Sequence, residues 1–392
     1  MTNSIPDWVK RNNIIDTENL TNDDYNYLTE WVHKNHIKPE DYLVEKCDDY
    51  QVVFLGEHHQ VENYIQFLIK VIPRLYNEAN VTRIGLEVCN KDDNEKIEKL
   101  VTNDKFDENL QLEIARSQNW QGWAYKDYWE ILRAVWKFNK SLTSEQDKLL
   151  VKGIDKKLNF PKLRNWLDFG NEPKEDEKEE LLKKAKNYGD RDELMSNNIE
   201  EEIIKKNKKA IILIGNLHCF TDYKMPIIKK GKITDEKHTS TAYLLEQKYK
   251  EKIFSIRLHS PLPAVKNIKE DHLGGAKHLR GVIDEIIEKT NIKKTAFDIS
   301  SSPFSSLRNN KCLFFHNQKE ITYKDVFKGY IVVAPLKDLY RCEMIPDFIT
   351  EEMFENSKGF LSNKFERDFK NTKDMNEFLY QEREKAFPEF NN

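Results

Sequence analysis

A glutamate and two histidines stand together in this sequence, directly after a short apolar run. The run covers residues 52–55, Gly56 interrupts it, and Glu57, His58 and His59 follow. A histidine beside a carboxylate is a candidate general base near neutral pH, because the negative charge stabilises its protonated form. The same residue types also bind divalent metals, which acidify a bound water molecule. Both interpretations predict a site that activates water, and the alternative is a solvated turn that happens to contain two histidines.

Two further apolar runs bring acidic or imidazole side chains to their ends. Glu87 lies in the run RIGLEV, and His218 follows the run AIILI after Gly-Asn-Leu. Open α/β sheets bind ligands at the carboxyl ends of their strands. We therefore expect Glu57, His59, Glu87 and His218 to form a common catalytic cleft.

The spacing of apolar residues predicts the elements that position these side chains. Strands are predicted at residues 52–55, 83–88, 149–155, 210–214, 253–258, 294–299 and 330–333, and the clearest helical spacing covers residues 61–77. Strands that alternate with helices predict an α/β fold, specifically a three-layer α/β/α arrangement with a mostly parallel sheet and additional helical insertions.

The chain is predicted to divide into three parts. Residues 1–50 form an N-terminal helical support region, residues 51–335 form the α/β domain, and residues 336–392 form a mostly helical extension. Between residues 120 and 136 the sequence is dense in tryptophan and tyrosine. These rings predict an aromatic core between helices or, alternatively, the apolar wall of a substrate pocket.

Composition argues against several classes of protein. The sequence is 39% hydrophobic and 33% charged, as in a polar globular protein, and no apolar run reaches the roughly 18 residues of a membrane span. The net charge of −4, with both signs interspersed, argues against nucleic acid as a partner. Five dispersed cysteines predict reduced thiols, and no signal peptide is recognisable. We expect a cytoplasmic protein that acts on a small-molecule substrate and contacts neither nucleic acid nor membrane.

Motifs of several other catalytic classes are absent from the sequence. It contains no GxSxG elbow, no HExxH, no Walker loop and no GxGxxG that opens a helix. Serine-hydrolase, zincin, nucleotide-hydrolase and dinucleotide-binding interpretations therefore lack their usual signatures.

Four short motifs, in this order, resemble those of the erythromycin esterase family and of the wider superfamily that includes Tiki and ChaN-like haem-uptake proteins. They are FLGEHH, IGLEV, RDELMSNNI and IILIGNLHCF, within residues 51–335. The resemblance implies an α/β/α fold with a cleft at the strand ends, and a hydrolase that cleaves an ester, lactone or amide. The GExH spacing of Glu57 and His59 is closer to the haem-uptake and Tiki-like branch.

The resemblance also implies a role for each matched catalytic position. Glu57 would orient the site, and His59 would activate water without a metal. Glu87 would support that water, and His218 would stabilise the oxyanion or transfer a proton.

Four further side chains are candidates for contacting the substrate: His58, Glu62, Asp155 and Arg191. Asp155 ends a predicted strand, and it is either an acid of the pocket or the N-cap of a following helix. Arg191 begins the RDELM motif, where the resemblance implies that it reaches the pocket; its alternative role is an ion pair with Asp192 or a neighbouring helix.

Two other functions use the same residues. One is a metal-dependent, Tiki-like peptidase or amidase, in which the predicted catalytic residues are ligands of a divalent metal. The other is a ChaN-like haem-binding protein, in which His58 or Tyr64 binds haem. We expect a metal-independent hydrolase without a cofactor, and we keep a divalent metal and haem as the alternatives.

Overall fold

The structure, a computed structural model, describes residues 5–118, 124–156, 162, 165–166, 170–188, 190–229, 232–265 and 278–383. The strands, in chain order, are β1 (Ile15–Asp16), β2 (Val52–Glu57), β3 (Val81–Asn90), β4 (Leu150–Asp155), β5 (Lys209–Gly215), β6 (Met225–Lys229), β7 (Lys232–His238), β8 (Ile253–Leu258), β9 (Leu262–Pro263), β10 (His278–Leu279), β11 (Thr295–Asp298), β12 (Leu307–Arg308) and β13 (Gly329–Val332).

The α-helices alternate with these strands over most of the chain. They are α1 (Asp7–Lys10), α2 (Asn22–Asn35), α3 (Pro39–Asp49), α4 (Glu62–Ala79), α5 (Asn94–Thr102), α6 (Glu108–Ser117), α7 (Lys126–Ser141), α8 (Glu175–Tyr188), α9 (Arg191–Ile199), α10 (Thr241–Tyr249), α11 (Val282–Thr290), α12 (Tyr323–Val326), α13 (Glu351–Phe365) and α14 (Thr372–Arg383). Within the described residues, no helix has the length and apolar character that crossing a membrane requires.

One large sheet organises the fold. Its seven strands lie in the order β11-β13-β8-β2-β5-β3-β4. The central strand β2 is parallel to both β5 and β8, and β13 is parallel to β8, whereas β11 is antiparallel to β13. This mostly parallel sheet, flanked by helices, confirms the predicted α/β fold class.

The local sequence explains why the sheet forms where it does. All residues of β2 are buried, and a strand covered on both faces is encoded by a continuous apolar run such as VVFL. Each of the seven strands of the sheet overlaps a strand that the apolar pattern predicts. The predicted helix over residues 61–77 is α4, and Pro73 lies inside it.

The chain forms two compact units. Unit 1 contains the chain up to Gly85 together with Ile199–Tyr340, and unit 2 contains Leu86–Asn198 together with the chain from Arg341 to Ala386. The predicted domain boundaries after residues 50 and 335 stay a prediction.

Aromatic and thiol side chains are mostly part of the core. In unit 1, Phe297 stacks on Phe304, with 5.1 Å between the ring centres. In unit 2, Tyr128 and Trp129 of α7 are buried, which favours the aromatic-core interpretation of residues 120–136, although Trp120 and Trp123 lie outside the described residues. All five cysteines are buried and free, and their predicted reduced state stays a prediction.

The sequence pattern did not predict the hairpin of β6 and β7. These antiparallel strands pair with each other, with a register shift between Pro226 and Ile228. The residues of β7 are half-buried or exposed, so the strand has no continuous apolar face. Without such a face, apolar periodicity gives no strand signal.

We predict that Gly153→Ala destabilises unit 2, because β4 passes so close to β3 at Gly153 that no side chain fits there. A Cβ at Gly153 would lie 2.3 Å from the backbone oxygen of Asn90, a contact that requires the backbone to move. The expected loss in the free energy of unfolding is about 1–3 kcal/mol, measured by urea denaturation.

Gly359→Ala is the matched control in the same unit. Gly359 is exposed within α13, and among the described residues its Cβ would meet only the end of the Asn165 side chain, at 3.2 Å. Alanine is the better helix former, so this variant is expected to gain up to about 1 kcal/mol. Equal stability of the two variants would contradict the close approach at Gly153.

Candidate functional site

The predicted site residues fall into two sets, one in each compact unit. Unit 1 holds Glu57, His58, His59, Glu62 and His218, and unit 2 holds Glu87, Asp155 and Arg191.

Glu57 and His59 are in direct contact. Glu57 is the last residue of β2 and is 3% exposed. The Nδ1 atom of His59 lies 2.8 Å from Glu57 Oε1, and the side chain of His59 is 36% exposed. A buried carboxylate is thus hydrogen-bonded to one nitrogen of an imidazole that solvent can reach.

The local backbone explains how this contact forms across two residues. A Cβ at Gly56 would lie 2.8 Å from Cys219 Sγ, so only glycine lets the end of β2 pass this close to the turn after β5. Gln60 has a φ of 70°, in the left-handed region, and Val61 is buried directly before α4. The chain therefore makes a tight turn between β2 and α4, and His59 lies in this turn within hydrogen-bond distance of Glu57.

His218 lies at the same edge of the sheet as Glu57. The strand β5 runs parallel to β2, and Gly215, its last residue, is paired in register with Glu57. A single 3-10 turn, Asn216–His218, follows at once and leaves His218 half-buried. The register of two parallel strands therefore brings both histidine-bearing turns to one edge of unit 1.

Glu62 lines a groove of unit 1 next to the start of α4. The groove has a volume of about 230 Å³, and Gln66, Lys70, Lys294 and Tyr340 also line it. The backbone N–H of Glu62 donates to the carbonyl of Tyr340 at 2.8 Å. His58 is half-buried in the turn before α4. The proposed contacts of Glu62 and His58 with a substrate stay predictions.

Arg191 binds the other two predicted residues of unit 2, Glu87 and Asp155. It is the first residue of α9, and its Nη2 donates to Glu87 Oε1 and to Asp155 Oδ2, both at 2.6 Å. Its Nε donates to the same Asp155 oxygen at 3.0 Å. The arginine side chain is 30% exposed, whereas both carboxylate side chains are buried. Sequence reasoning named all three residues without pairing them.

The helix start explains the position of Arg191. Asp190 Oδ1 accepts from the N–H groups of Asp192 and Glu193, which caps the helix. Asn198 Nδ2 donates to the carbonyl of Ile154 and ties the other end of α9 to β4. A helix fixed at both ends holds its first side chain against the strand that ends in Asp155.

Tyr64 does not suit its predicted role as a haem ligand. It is fully buried, and its hydroxyl donates to the backbone carbonyl of His259. Burial raises the pKa of Tyr64 well above its ordinary value, so the tyrosinate that binds iron is disfavoured.

Sequence reasoning missed one buried polar cluster of unit 1, which contains Arg257, His259, Asp284 and Tyr330. A sequence signal was available, because His259 directly follows the last residue of β8, as His218 follows the end of β5. Its partners come from distant segments and carry no motif.

One segment of the chain matches the model of a known family. Residues 43–143 match the model of the family described as haem-binding uptake, Tiki superfamily, ChaN. The comparison with curated proteins gives no match. The family match confirms the predicted resemblance to the superfamily over this segment.

Several solved structures are similar to this chain over much of its length. A succinoglycan biosynthesis protein is 11% identical, with a TM-score of 0.52 over 80% of this chain and 97% of that one. A variant of the erythromycin esterase EreC, in its open conformation, is 13% identical, with a TM-score of 0.49 over 74% and 92%. ChaN of Campylobacter jejuni, described with cofacial haem binding, is 16% identical, with a TM-score of 0.38 over 62% and 93%.

We predict that Arg191→Met lowers the free energy of unfolding by about 1–3 kcal/mol, because it leaves two buried carboxylates without their shared cation. Arg74→Met is the matched control. Arg74 also binds two carboxylates, Asp41 and Glu78, but all three side chains are exposed. Thermal unfolding should show a clear loss for Arg191→Met and little change for Arg74→Met. Equal effects would contradict the role of burial.

Proposed function

We propose that the chain is a hydrolase that activates water with His59, held by Glu57, to cleave an ester, lactone or amide. The observation that carries this proposal is the 2.8 Å contact between His59 Nδ1 and the buried Glu57 carboxylate. The superfamily match over residues 43–143 supports it, because the matched segment contains both residues.

The hydrogen bond selects the nitrogen that works as the base. When Nδ1 carries a proton and donates it to Glu57, Nε2 of the neutral ring is the proton acceptor. The carboxylate stabilises the imidazolium that forms when Nε2 takes a proton from water. Since Glu57 is buried, solvent screens this interaction little.

The reaction follows from general base catalysis. Nε2 of His59 removes a proton from water, and the resulting hydroxide bonds to the substrate carbonyl carbon. The bond from that carbon to the leaving oxygen or nitrogen then breaks, and the imidazolium returns its proton to the leaving group. His218, on the neighbouring turn, is the proposed donor to the oxyanion.

We infer that the base works without a metal, with the carboxylate of Glu57 stabilising the imidazolium of His59. A metal-dependent peptidase or amidase that uses the same residues as ligands is the competing function. Activity that falls on chelation and returns with a divalent ion would favour this competing function.

We predict that His59→Gln lowers kcat/KM by about 10²–10⁴-fold on a cleavable ester such as p-nitrophenyl acetate or on a γ-lactone. Glu57→Gln should lower it by about 10–100-fold, as loss of an orienting partner does. It should also move the acid limb of the pH–rate profile to lower pH, because the imidazolium loses the negative charge that stabilises it.

His36→Gln is the control for these variants. His36 is exposed after α2, and its ring contacts only a neighbouring backbone carbonyl among the contacts described. This variant should keep wild-type kinetics. Hydrolysis that survives His59→Gln unchanged would eliminate the proposed mechanism.

Haem binding is the second candidate function, because the matched family is described as haem-binding. Of its two predicted ligands, the half-buried His58 is the better candidate, because Tyr64 is fully buried. Bound haem would supply iron for which an imidazole is a suitable axial ligand.

We predict that adding haem to the chain gives no His58-dependent Soret band if the hydrolase proposal holds. The spectra of wild type, His58→Ala and the control His33→Ala should then coincide, because His33 is an exposed residue of α2. A saturable band that His58→Ala shifts or removes, and His33→Ala does not, would establish haem binding instead.

A further inference from the structure

A buried polar network lies beneath the strand ends of unit 1, and the proposed reaction does not use it. Arg257 of β8 is 5% exposed and is paired in register with Gly56 of β2. Its Nη2 donates to Ser260 Oγ at 2.9 Å and to the carbonyls of Ser260 and Pro261 at 3.3 and 3.1 Å. Its guanidinium lies 5.0 Å from the centre of the Phe327 ring. Because burying a cation is costly, these contacts hold the segment after β8 in one conformation.

Ser260 extends this constraint to the turn after β5. Its hydroxyl oxygen accepts from Asn216 Nδ2 at 3.2 Å. Asn216 begins the turn that ends in His218, and its Oδ1 would lie only 3.0 Å from a Cβ at Gly56. The Asn216 side chain therefore lies between Ser260 and the end of β2, in contact range of both.

His259 forms a second branch of the network. Its ring is 1% exposed, with Nδ1 3.0 Å from the Tyr330 hydroxyl and Nε2 3.0 Å from Asp284 Oδ1. The other oxygen of Asp284 accepts from the N–H of Gly281 at 2.6 Å. Through its backbone carbonyl, His259 also accepts the hydroxyl proton of Tyr64, in the first turn of α4. The end of β8 is thus tied to the helix that follows the two adjacent histidines.

The charges of Arg257 and Glu57 both influence the pKa of the Tyr64 hydroxyl. Burial raises the pKa of Tyr64 well above its ordinary value; Arg257 opposes this, and Glu57 adds to it. Tyr64 therefore stays protonated and keeps donating to His259. Arg257 is also paired in register with Gly56, the residue before Glu57, so the network borders the strand end that carries the proposed catalytic carboxylate.

We propose that Arg257 and Ser260 are positioning residues for the catalytic turns of unit 1. Arg257 fixes Ser260, Ser260 orients Asn216, and Asn216 holds the His218 turn against Gly56, next to Glu57. The expected change in rate rests on the proposed hydrolase function. The expected change in the position of the His218 turn does not. A displacement of about 1 Å at a reacting group costs up to about 10²-fold in rate, so such positioning has a measurable effect.

The test compares Ser260→Ala with two matched variants of the full chain. Ser260→Ala removes the hydroxyl that joins Arg257 to Asn216, and Ser260→Thr retains a hydroxyl there. Ser302→Ala is the control, because Ser302 is also buried in unit 1 and donates to the carbonyl of Ile299 at 2.8 Å, outside the network. Thermal unfolding first establishes that each variant is folded.

The primary measurement is the NMR spectrum of histidine ring carbons, with His59→Gln and His218→Gln used for assignment. We expect Ser260→Ala to move the His218 ring resonances, Ser260→Thr to return them towards wild type, and Ser302→Ala to leave them in place. In hydrolysis of p-nitrophenyl acetate, Ser260→Ala should lower kcat about tenfold with KM unchanged.

The histidine resonances decide the inference. If Ser260→Ala, like Ser302→Ala, does not move the His218 resonances, the positioning role is overturned, whatever the kinetics show. If wild type hydrolyses none of the substrates, the proposed function fails, and the resonance shifts still establish or overturn the positioning role by themselves.

Discussion

The structure of the candidate site depends on burial of the Glu57 carboxylate. An ionised carboxylate taken out of water without a partner costs several kcal/mol, so the surrounding chain has to provide one. His59 does so at 2.8 Å, and the turn between β2 and α4 is shaped to allow it. Gly56 lets the strand end approach Cys219, and Gln60 takes a left-handed conformation. Burial of Glu57 therefore has two effects. It requires a hydrogen-bond partner for the carboxylate, and it strengthens the attraction between that carboxylate and the imidazolium of His59.

The same physical rule organises the second set of residues. Glu87 and Asp155 are buried in unit 2, and one guanidinium binds both. An arginine suits this task because its planar fork offers several donors and keeps its charge. A lysine offers one compact ammonium in place of this fork. The three residues therefore act as one electrostatic group, although their roles towards a substrate stay predictions.

The superfamily resemblance bears on fold and on function in different ways. One scaffold can host unrelated chemistries, so the evidence for a particular function has to come from the residues at the strand ends. The hydrogen-bonded pair of Glu57 and His59 supports a general base, while burial of Tyr64 weakens the haem alternative. The network around Arg257 is proposed to hold the His218 turn against the end of β2, which carries Glu57.

The sequence alone determined the fold class, the strands of the large sheet and the nearness of Glu57 to His59. These features depend on apolar periodicity or on residues two positions apart, which are local properties of the chain. The hairpin of β6 and β7 escaped prediction because β7 has no continuous apolar face and therefore no such periodicity. Only the tertiary structure decided which charges pair, as when Arg191 meets Glu87 across 104 positions of sequence. It also decided that His259 meets Asp284 and Tyr330 in the core. A buried charge takes its partner from whichever segment the completed sheet brings beside it, and no local pattern contains that information.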